Sequence, residues 1–266
     1  MTQAARTCLF AAMVTILLPP SVCPAQTPEE KGLTIATEAD RRYCGYGDCT
    51  ASLRMILRNR QGQVSARELR VRTLEVQEGG TKSLCIFDSP RDVKGTILLT
   101  HTHKVQQDDQ WLYLPALKRI KRIAAQNRSG SFMGSEFSYE DIATQVLEKY
   151  TYQWLREEVC DDQDCYVIER RPADKENSGY TRQVVWIDKQ EYRTLKVDYY
   201  DRKDSRLKTL SFTGYRKYLD RFWRPQDMTM VNHQTGKSSQ LIWSDFAFRT
   251  GLADNDFNQQ SLTTIR

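Results

Sequence analysis

This 266-residue sequence has only three histidines and lacks the motifs that mark several common enzyme classes. It contains no G-x-S-x-G nucleophile elbow, and Ser131 in G-S-F-M-G has the wrong offset for that turn. It also has no glycine loop that cradles phosphates and no dinucleotide fingerprint. Its clustered carboxylates occur in apparent turns, where solvation and bonding to the backbone explain them. We therefore expect no enzyme and no cofactor. A hydrolase whose acids meet only in space is the alternative left open.

The pair His101 and His103 is the nearest approach to a metal motif. On a strand, H-x-H spacing would put both imidazoles on one face, where they could begin a zinc site. Only His233 occurs elsewhere, and no carboxylate is placed by local spacing to complete the set. We interpret the pair as solvated strand histidines and expect no metal site.

Only one long apolar run occurs, and it lies in the first 25 residues. After Arg6 it reads C-L-F-A-A-M-V-T-I-L-L, roughly half the length of a membrane-spanning helix. Prolines and small residues follow, so residues 1–25 are predicted to be a cleaved signal peptide. The alternatives are an uncleaved anchor and lipidation at Cys23, which the bulky Val22 disfavours. The predicted location is the periplasm, with residues 26–266 not spanning the membrane.

The cysteines that remain after residue 25 form two C-x4-C pairs and one single residue. Cys44 with Cys49, and Cys160 with Cys165, are predicted disulfides because an oxidising compartment favours them. A four-thiolate zinc site is the competing interpretation, but its usual spacing is shorter. Cys85 lies in the apolar context S-L-C-I-F and is predicted to be a buried free thiol.

The charge balance is nearly even, with a net charge of +5 for the whole chain. Such a small excess gives no reason to expect nucleic acid as a partner. Lys118, Arg119, Lys121 and Arg122 form the one dense basic run, K-R-I-K-R. The run is predicted to be a strand or short helix with a cationic face, either simply solvated or contacting anionic headgroups or a partner protein.

The rest of the pattern predicts one nearly all-β domain. Residues 27–42 begin with Thr-Pro-Glu-Glu and have a weak apolar face, which is typical of a single amphipathic helix. From Ala51 onward, apolar and polar residues alternate in strand-like runs separated by turns. This spacing predicts a meandering antiparallel sheet.

The stretch 108–142 is the most distinctive part of the sequence. It contains W-L-Y-L-P at 111–115, then the basic run, then S-F-M-G-S-E-F-S-Y-E-D-I. These motifs resemble the LolA-like outer-membrane lipoprotein-sorting family of Gram-negative bacteria, in its poorly characterised periplasmic branch. Weaker matches are V-V-W-I-D at 184–188, Y-R-T-L-K at 192–196, W-R-P-x-x-M at 223–228 and D-x-D-F at 254–257.

The resemblance implies a strongly curved, incompletely closed antiparallel β-barrel with a few covering helices. It implies a non-enzymatic periplasmic carrier or chaperone that shelters acyl chains of a lipoprotein or another lipid, in lipoprotein sorting or in export of hydrophobic molecules. An inner-membrane exporter or an outer-membrane acceptor would be its partner. The alternative is a structural or signalling accessory subunit that docks on an exporter through the basic face.

The same stretch supplies the candidate site residues. Residues 128–141 are a candidate lid, because glycines flank two apolar side chains there. The predicted cavity or lid residues are Trp111, Tyr113, Leu114, Phe132, Met133, Phe137 and Tyr139. The alternative is that these side chains simply fill the barrel as core.

Overall fold

The computed structural model describes residues 26–76 and 80–265, so the predicted signal peptide lies outside the described part of the chain. The two α-helices are α1 (Pro28–Tyr43) and α2 (Tyr139–Ile142). The strands are β1 (Asp48–Arg58), β2 (Val64–Glu75), β3 (Thr81–Ser89), β4 (Ile97–His101), β5 (Asp109–Leu114), β6 (Arg119–Arg122), β7 (Tyr150–Cys160), β8 (Gln163–Pro172), β9 (Arg182–Asp188), β10 (Thr194–Tyr200), β11 (Arg206–Thr213), β12 (Arg216–Tyr218), β13 (Phe222–Arg224), β14 (Asp227–Asn232) and β15 (Ser238–Phe248). Short 3-10 turns occupy Pro115–Leu117, Ala125–Asn127, Leu147–Lys149, Asp254–Phe257 and Gln259–Thr263.

The predicted N-terminal helix is confirmed, and its first turn shows why it begins where it does. The Thr27 hydroxyl accepts a hydrogen bond from Glu30 N at 3.2 Å, and the Glu30 carboxylate accepts one from Thr27 N at 2.9 Å. This reciprocal capping box satisfies two of the helix's free N–H groups, and Pro28 needs no partner at the first position.

Thirteen strands form one antiparallel sheet in the order β6-β5-β4-β3-β2-β1-β15-β14-β11-β10-β9-β8-β7. The two end strands, β6 and β7, do not pair with each other in the part of the chain that the structure describes, so the sheet is not closed. The prediction of a mainly β, incompletely closed antiparallel sheet is confirmed.

The sheet curls around a hollow. Cys85 on β3 and Ile168 on β8 line the same cavity of about 400 Å³. In a flat sheet these strands, eight positions apart, would lie roughly 40 Å from one another at the usual strand spacing. A cavity of that volume cannot span such a distance, so the sheet must bend back on itself.

Apolar residues pack on both faces of the sheet. On β3, Cys85 and Phe87 belong to the main cluster inside the curve, whereas Leu84 and Ile86 face the outside. The outward cluster is covered by the C-terminal segment, whose Phe257 and Leu262 are fully buried. Both faces are therefore apolar over much of the sheet.

Helix α1 lies directly against the end strand β7. A Cβ atom at Gly32 would lie 2.6 Å from Trp154 N, so only glycine allows this close approach. The Lys31 ammonium lies 3.7 Å from the centre of the Trp154 ring. Helix α1 thereby covers one edge of the hollow. Across residues 26–76 and 80–265, no helix combines the length and apolar character needed to cross a bilayer.

Candidate ligand cavity

The main cavity lies inside the curve of the sheet and has a volume of about 400 Å³. This is within the range of roughly 300–1,000 Å³ that small-molecule sites in proteins occupy. Its sheet walls are inward-facing aliphatic side chains from strands far apart in the sequence: Leu53, Val71, Ile168, Val185, Val197 and Leu210. Helix α1 adds Ala36 and Ala39. The cavity is therefore mainly apolar along its length.

Residues 129–142, which we call the crossing segment, form another wall. The segment runs over the concave face of the sheet, where Phe132 and Phe137 line the cavity and are each 1% exposed. The Phe132 ring lies 5.8 Å from that of Phe87 on β3, and Phe132 N donates to Phe137 O at 2.7 Å. Both rings are anchored by packing and by this tight turn.

A buried ion pair fixes the far end of the crossing segment to the sheet. The Lys208 ammonium on β11 lies 2.6 Å from the Asp141 carboxylate, and the two side chains are 5% and 3% exposed. Lys208 also donates to Glu136 O at 2.9 Å, and the Tyr180 hydroxyl donates to Asp141 at 2.9 Å. Burial raises the pKa of Tyr180 well above its usual value, which keeps that hydroxyl a donor.

Further polar contacts fix the middle of the crossing segment. Glu136 N donates to the Ser239 hydroxyl on β15 at 2.9 Å, and Asn232 on β14 donates to the Glu136 carboxylate at 2.7 Å. The Arg67 guanidinium on β2 donates to Met133 O. The segment is thus bonded to four strands. It is a strap over the hollow whose release requires several buried polar contacts to break.

The β12–β13 hairpin and the end of α1 close the opposite end of the cavity. Tyr43, Tyr215, Trp223, Arg224 and Phe246 line this end. The rings of Phe246 and Phe248 stack at 6.1 Å, and Tyr46 meets Phe222 edge to face at 6.2 Å. This end is therefore aromatic and cationic, unlike the aliphatic walls.

A second cavity, of about 350 Å³, shares residues 143–146 with the main one. It is lined partly by charged groups: the Asp108 carboxylate contacts Arg128 and Lys149. Glu140 accepts from the Ser178 hydroxyl and from Gly179 N, and burial raises its pKa. Asp108 is therefore paired with two cations, whereas Glu140 is held by neutral donors only.

The predicted cavity residues fall into three groups. Phe132 and Phe137 line the main cavity. Leu114, Met133 and Tyr139 are not among the lining residues but pack against the main apolar cluster. Trp111 and Tyr113 lie on the outer face of the sheet, packed with the C-terminal cluster.

Strand β5 explains the outward position of the two aromatic residues. Successive side chains alternate between faces, and Leu112 takes the inward position, where it is buried in the main cluster. The sequence does not distinguish the faces because both carry apolar residues.

The ring of His101 lies 5.1 Å from that of Trp111 and bonds Phe257 O at 2.9 Å, so this histidine is half-buried and not solvated. His103 lies beyond the strand and contacts Asp109 at 3.3 Å.

The predicted basic strand is present as β6, at one end of the sheet. Lys118, Arg119, Lys121 and Arg122 are all exposed. Arg122 pairs with Asp109 at 2.5 Å, whereas the other three have no carboxylate within 4 Å among the described residues. The cationic face is therefore solvated and largely unpaired.

The four cysteines predicted to form disulfides are free thiols in this structure. Cys44 donates to the Asp40 carboxylate at 3.6 Å, which directs its sulfur to the helix and not to Cys49. Cys160 faces Gln163 across the β7–β8 hairpin, so Cys165 is its diagonal neighbour. The Cys160 and Cys165 thiols lie within hydrogen-bond contact of one another, so the structure brings this predicted pair together but as free thiols. Cys85 is a buried free thiol as predicted, and burial raises its pKa to about 12.

Comparison with known proteins places the chain in a family. A crystallised domain from Vibrio parahaemolyticus, assigned to outer membrane lipoprotein sorting, is 55% identical over 88% of this chain and 99% of its own, with a TM-score of 0.86. The chain belongs to the family of this outer membrane lipoprotein-sorting domain. A family model described as an uncharacterized protein matches residues 79–264. No curated protein matches the sequence.

Two further structures show how widely this LolA-like fold extends. A DUF1329 family protein from Desulfovibrio piger is 32% identical over 89% of this chain and 99% of its own, with a TM-score of 0.84. A LolA superfamily protein from Nitrosomonas europaea has the same fold at 21% identity, covering 86% of this chain and 98% of its own with a TM-score of 0.70.

Proposed function

We propose that this LolA-like protein is a non-enzymatic periplasmic carrier that shelters an acyl chain of a lipoprotein or another lipid. The observation that carries the proposal is the apolar cavity inside the curved sheet, walled by buried aliphatic side chains. Kinship with a domain assigned to outer membrane lipoprotein sorting supports both the location and the class of cargo.

The size of the cavity sets the expected ligand. A methylene group takes about the same space as a water molecule in the liquid, roughly 30 Å³, so 400 Å³ corresponds to about thirteen methylenes. Burying them is worth about 0.8 kcal/mol each, or roughly 10 kcal/mol in all. The smallest association cost is about 4 kcal/mol, so a single chain should bind no more tightly than a Kd of roughly tens of micromolar.

The test fills the cavity with a large side chain placed on helix α1. Ala39 lines the cavity on α1, whereas Thr37 is exposed on the same helix. We expect Ala39→Trp to weaken binding of a fluorescent fatty acid at least tenfold, because the indole takes space that the chain needs. Thr37→Trp adds the same ring outside the cavity and should leave binding unchanged. Equal binding by both variants, or none by the wild type, would contradict the carrier proposal.

A second candidate function rests on the β6 edge. Lys118, Arg119 and Lys121 are exposed, and no carboxylate of the described residues lies within 4 Å of them. They suit docking on an acidic surface of an envelope exporter, as an accessory subunit would require. Changing all three to Glu should abolish recovery of that partner. The same change at exposed Lys175, Lys203 and Lys237 is the matched control, and equal recovery by both variants would count against docking.

A further inference from the structure

Arg224 is a buried cation in the wall of the main cavity. It is 3% exposed, and no carboxylate lies within 4 Å of it in the described parts of the chain. A buried charge is normally paired, because removing it from water is costly without a partner. The position of Arg224 therefore needs an explanation.

Aromatic rings and carbonyls hold the Arg224 guanidinium in place. Its central carbon lies 4.0 Å from the centre of the Tyr43 ring and 4.9 Å from that of Tyr46, with Phe222 and Phe248 at 5.9 and 5.6 Å. Two of its five N–H groups donate to Trp223 O at 2.9 Å and Tyr43 O at 3.1 Å. These contacts orient the cation but leave its charge uncompensated and donors available.

The other charges around this end of the cavity are already bound. Arg193 lies 2.8 Å from the buried Asp188 carboxylate, and Arg42 pairs with Glu38 and Glu191. The remaining nearby acids, Glu75 and Asp40, bond the N–H groups of Gly45 and Gly47 and the Cys44 thiol, respectively. Glu75 and Asp40 thus have their own hydrogen bonds, and no acid of the described residues forms an ion pair with Arg224.

A second unpaired donor belongs to the preceding residue of the same strand. Trp223 lines the same cavity, and its Nε1 is buried with no hydrogen-bond partner among the described residues. A buried donor without an acceptor is uncommon in folded proteins, so this N–H is available to an acceptor on a bound ligand. Consecutive strand residues point to opposite sides, so the Trp223 N–H and the Arg224 charge line the cavity at separate points.

We infer that the cavity takes an amphiphile whose oxyanion head, a carboxylate or a phosphate, binds Arg224 while its single acyl chain lies along the aliphatic walls. The inference rests on the proposed carrier function and adds the chemistry of the head. A guanidinium matches the geometry of carboxylate and phosphate oxygens, and an apolar surrounding strengthens such a bond.

The test compares three ligands with one chain: myristate, myristyl phosphate and myristyl alcohol, each displacing a fluorescent probe from the cavity. A charge-assisted hydrogen bond in a dry site should favour both anions over the alcohol by at least about tenfold. The relative affinity of myristate and the phosphate separates a fatty acid from a phosphate-bearing lipid as the source.

Substitutions of single arginines test which cation binds the oxyanion head of the ligand. Arg224→Gln should reduce the preference for anions to about twofold or less, since the neutral amide lacks the charge-assisted bond, and Arg224→Lys should retain part of it. Arg221→Gln removes a neighbouring cation that is exposed and stacks on Phe222, so it should keep the full preference. Arg170, which lines the cavity on β8 and donates to Gln183 at 2.7 Å, is the alternative source of charge.

Each result has one meaning. If the wild type binds none of the three ligands, the carrier function itself fails. If it binds the alcohol as tightly as the anions, the carrier stands and the oxyanion head is refuted, whether or not Arg224→Gln folds. If the preference survives Arg224→Gln but is lost in Arg170→Gln, Arg224 does not bind the head.

Discussion

Replacing Lys208 with methionine should release the crossing segment and destabilise the protein. The substitution keeps most of the side-chain volume but leaves the Asp141 carboxylate, 3% exposed, with neutral donors only. It also removes the bond from Lys208 to Glu136 O. Breaking a buried pair by removing one partner costs about 3–5 kcal/mol. For a domain of this size that corresponds to a fall in Tm of roughly 6–20 °C.

Urea unfolding followed by fluorescence measures the change, with Lys237→Met as the control because Lys237 is exposed at the β14–β15 turn. The double variant Lys208→Met, Asp141→Asn should regain part of the loss, because it no longer buries an unpaired charge. Limited proteolysis should then cut within residues 129–138 of the single variant first. A loss below about 1 kcal/mol, the size expected of an exposed pair, would refute the view that this ion pair fixes the strap.

Three other substitutions test the packing of the fold and the buried acid. Gly32→Ala should lower the unfolding free energy by about 1–3 kcal/mol, because its Cβ would meet the β7 backbone at 2.6 Å; Leu33→Ala, exposed on the same helix, should change it little in the same thermal melt. Phe257→Ala should cost about 3–5 kcal/mol in urea unfolding, since the ring is fully buried in the outer cluster; a cost near zero would show that the C-terminal segment does not hold that face. Burial raises the pKa of Glu140, so the folded state holds this proton more tightly than the unfolded state. The contribution of Glu140 to the unfolding free energy is therefore lost as pH rises above the ordinary pKa of Glu. Glu140→Gln should therefore gain stability relative to wild type as pH rises from about 4.3, and a difference that is flat with pH would contradict the shift.

Local sequence signals predicted the elements of the fold well. The Thr27 capping box marks the start of α1, and alternation with turn residues marks the strands on either side of the crossing segment. Helix capping and strand alternation can be predicted from the sequence because both depend on residues that are close together in the chain. The open sheet followed from the family resemblance of the stretch 108–142.

The site was predicted only in part, because its geometry depends on contacts between distant residues. Phe132 and Phe137 were found through their motif, but Trp111 and Tyr113 lie on the other face of a strand that is apolar on both sides. Arg224 was missed entirely. Its aromatic partner Tyr43 lies 181 positions away, a contact that no local pattern encodes.

The position of β15 in the sheet has a consequence for how the protein folds. Strands β1 to β6 form one meander and β7 to β11 another, and β14 and β15 join the two, with β15 pairing along the whole of β1. Within each meander, neighbours in the sheet are neighbours in the chain, so pairing closes only short loops. The β1–β15 ladder instead closes a loop of most of the chain, a step that loop entropy makes slow. A nascent chain that lacks β15 holds two separate half-sheets. The hollow between them forms only when β15 has been synthesised and pairs with β1 and β14.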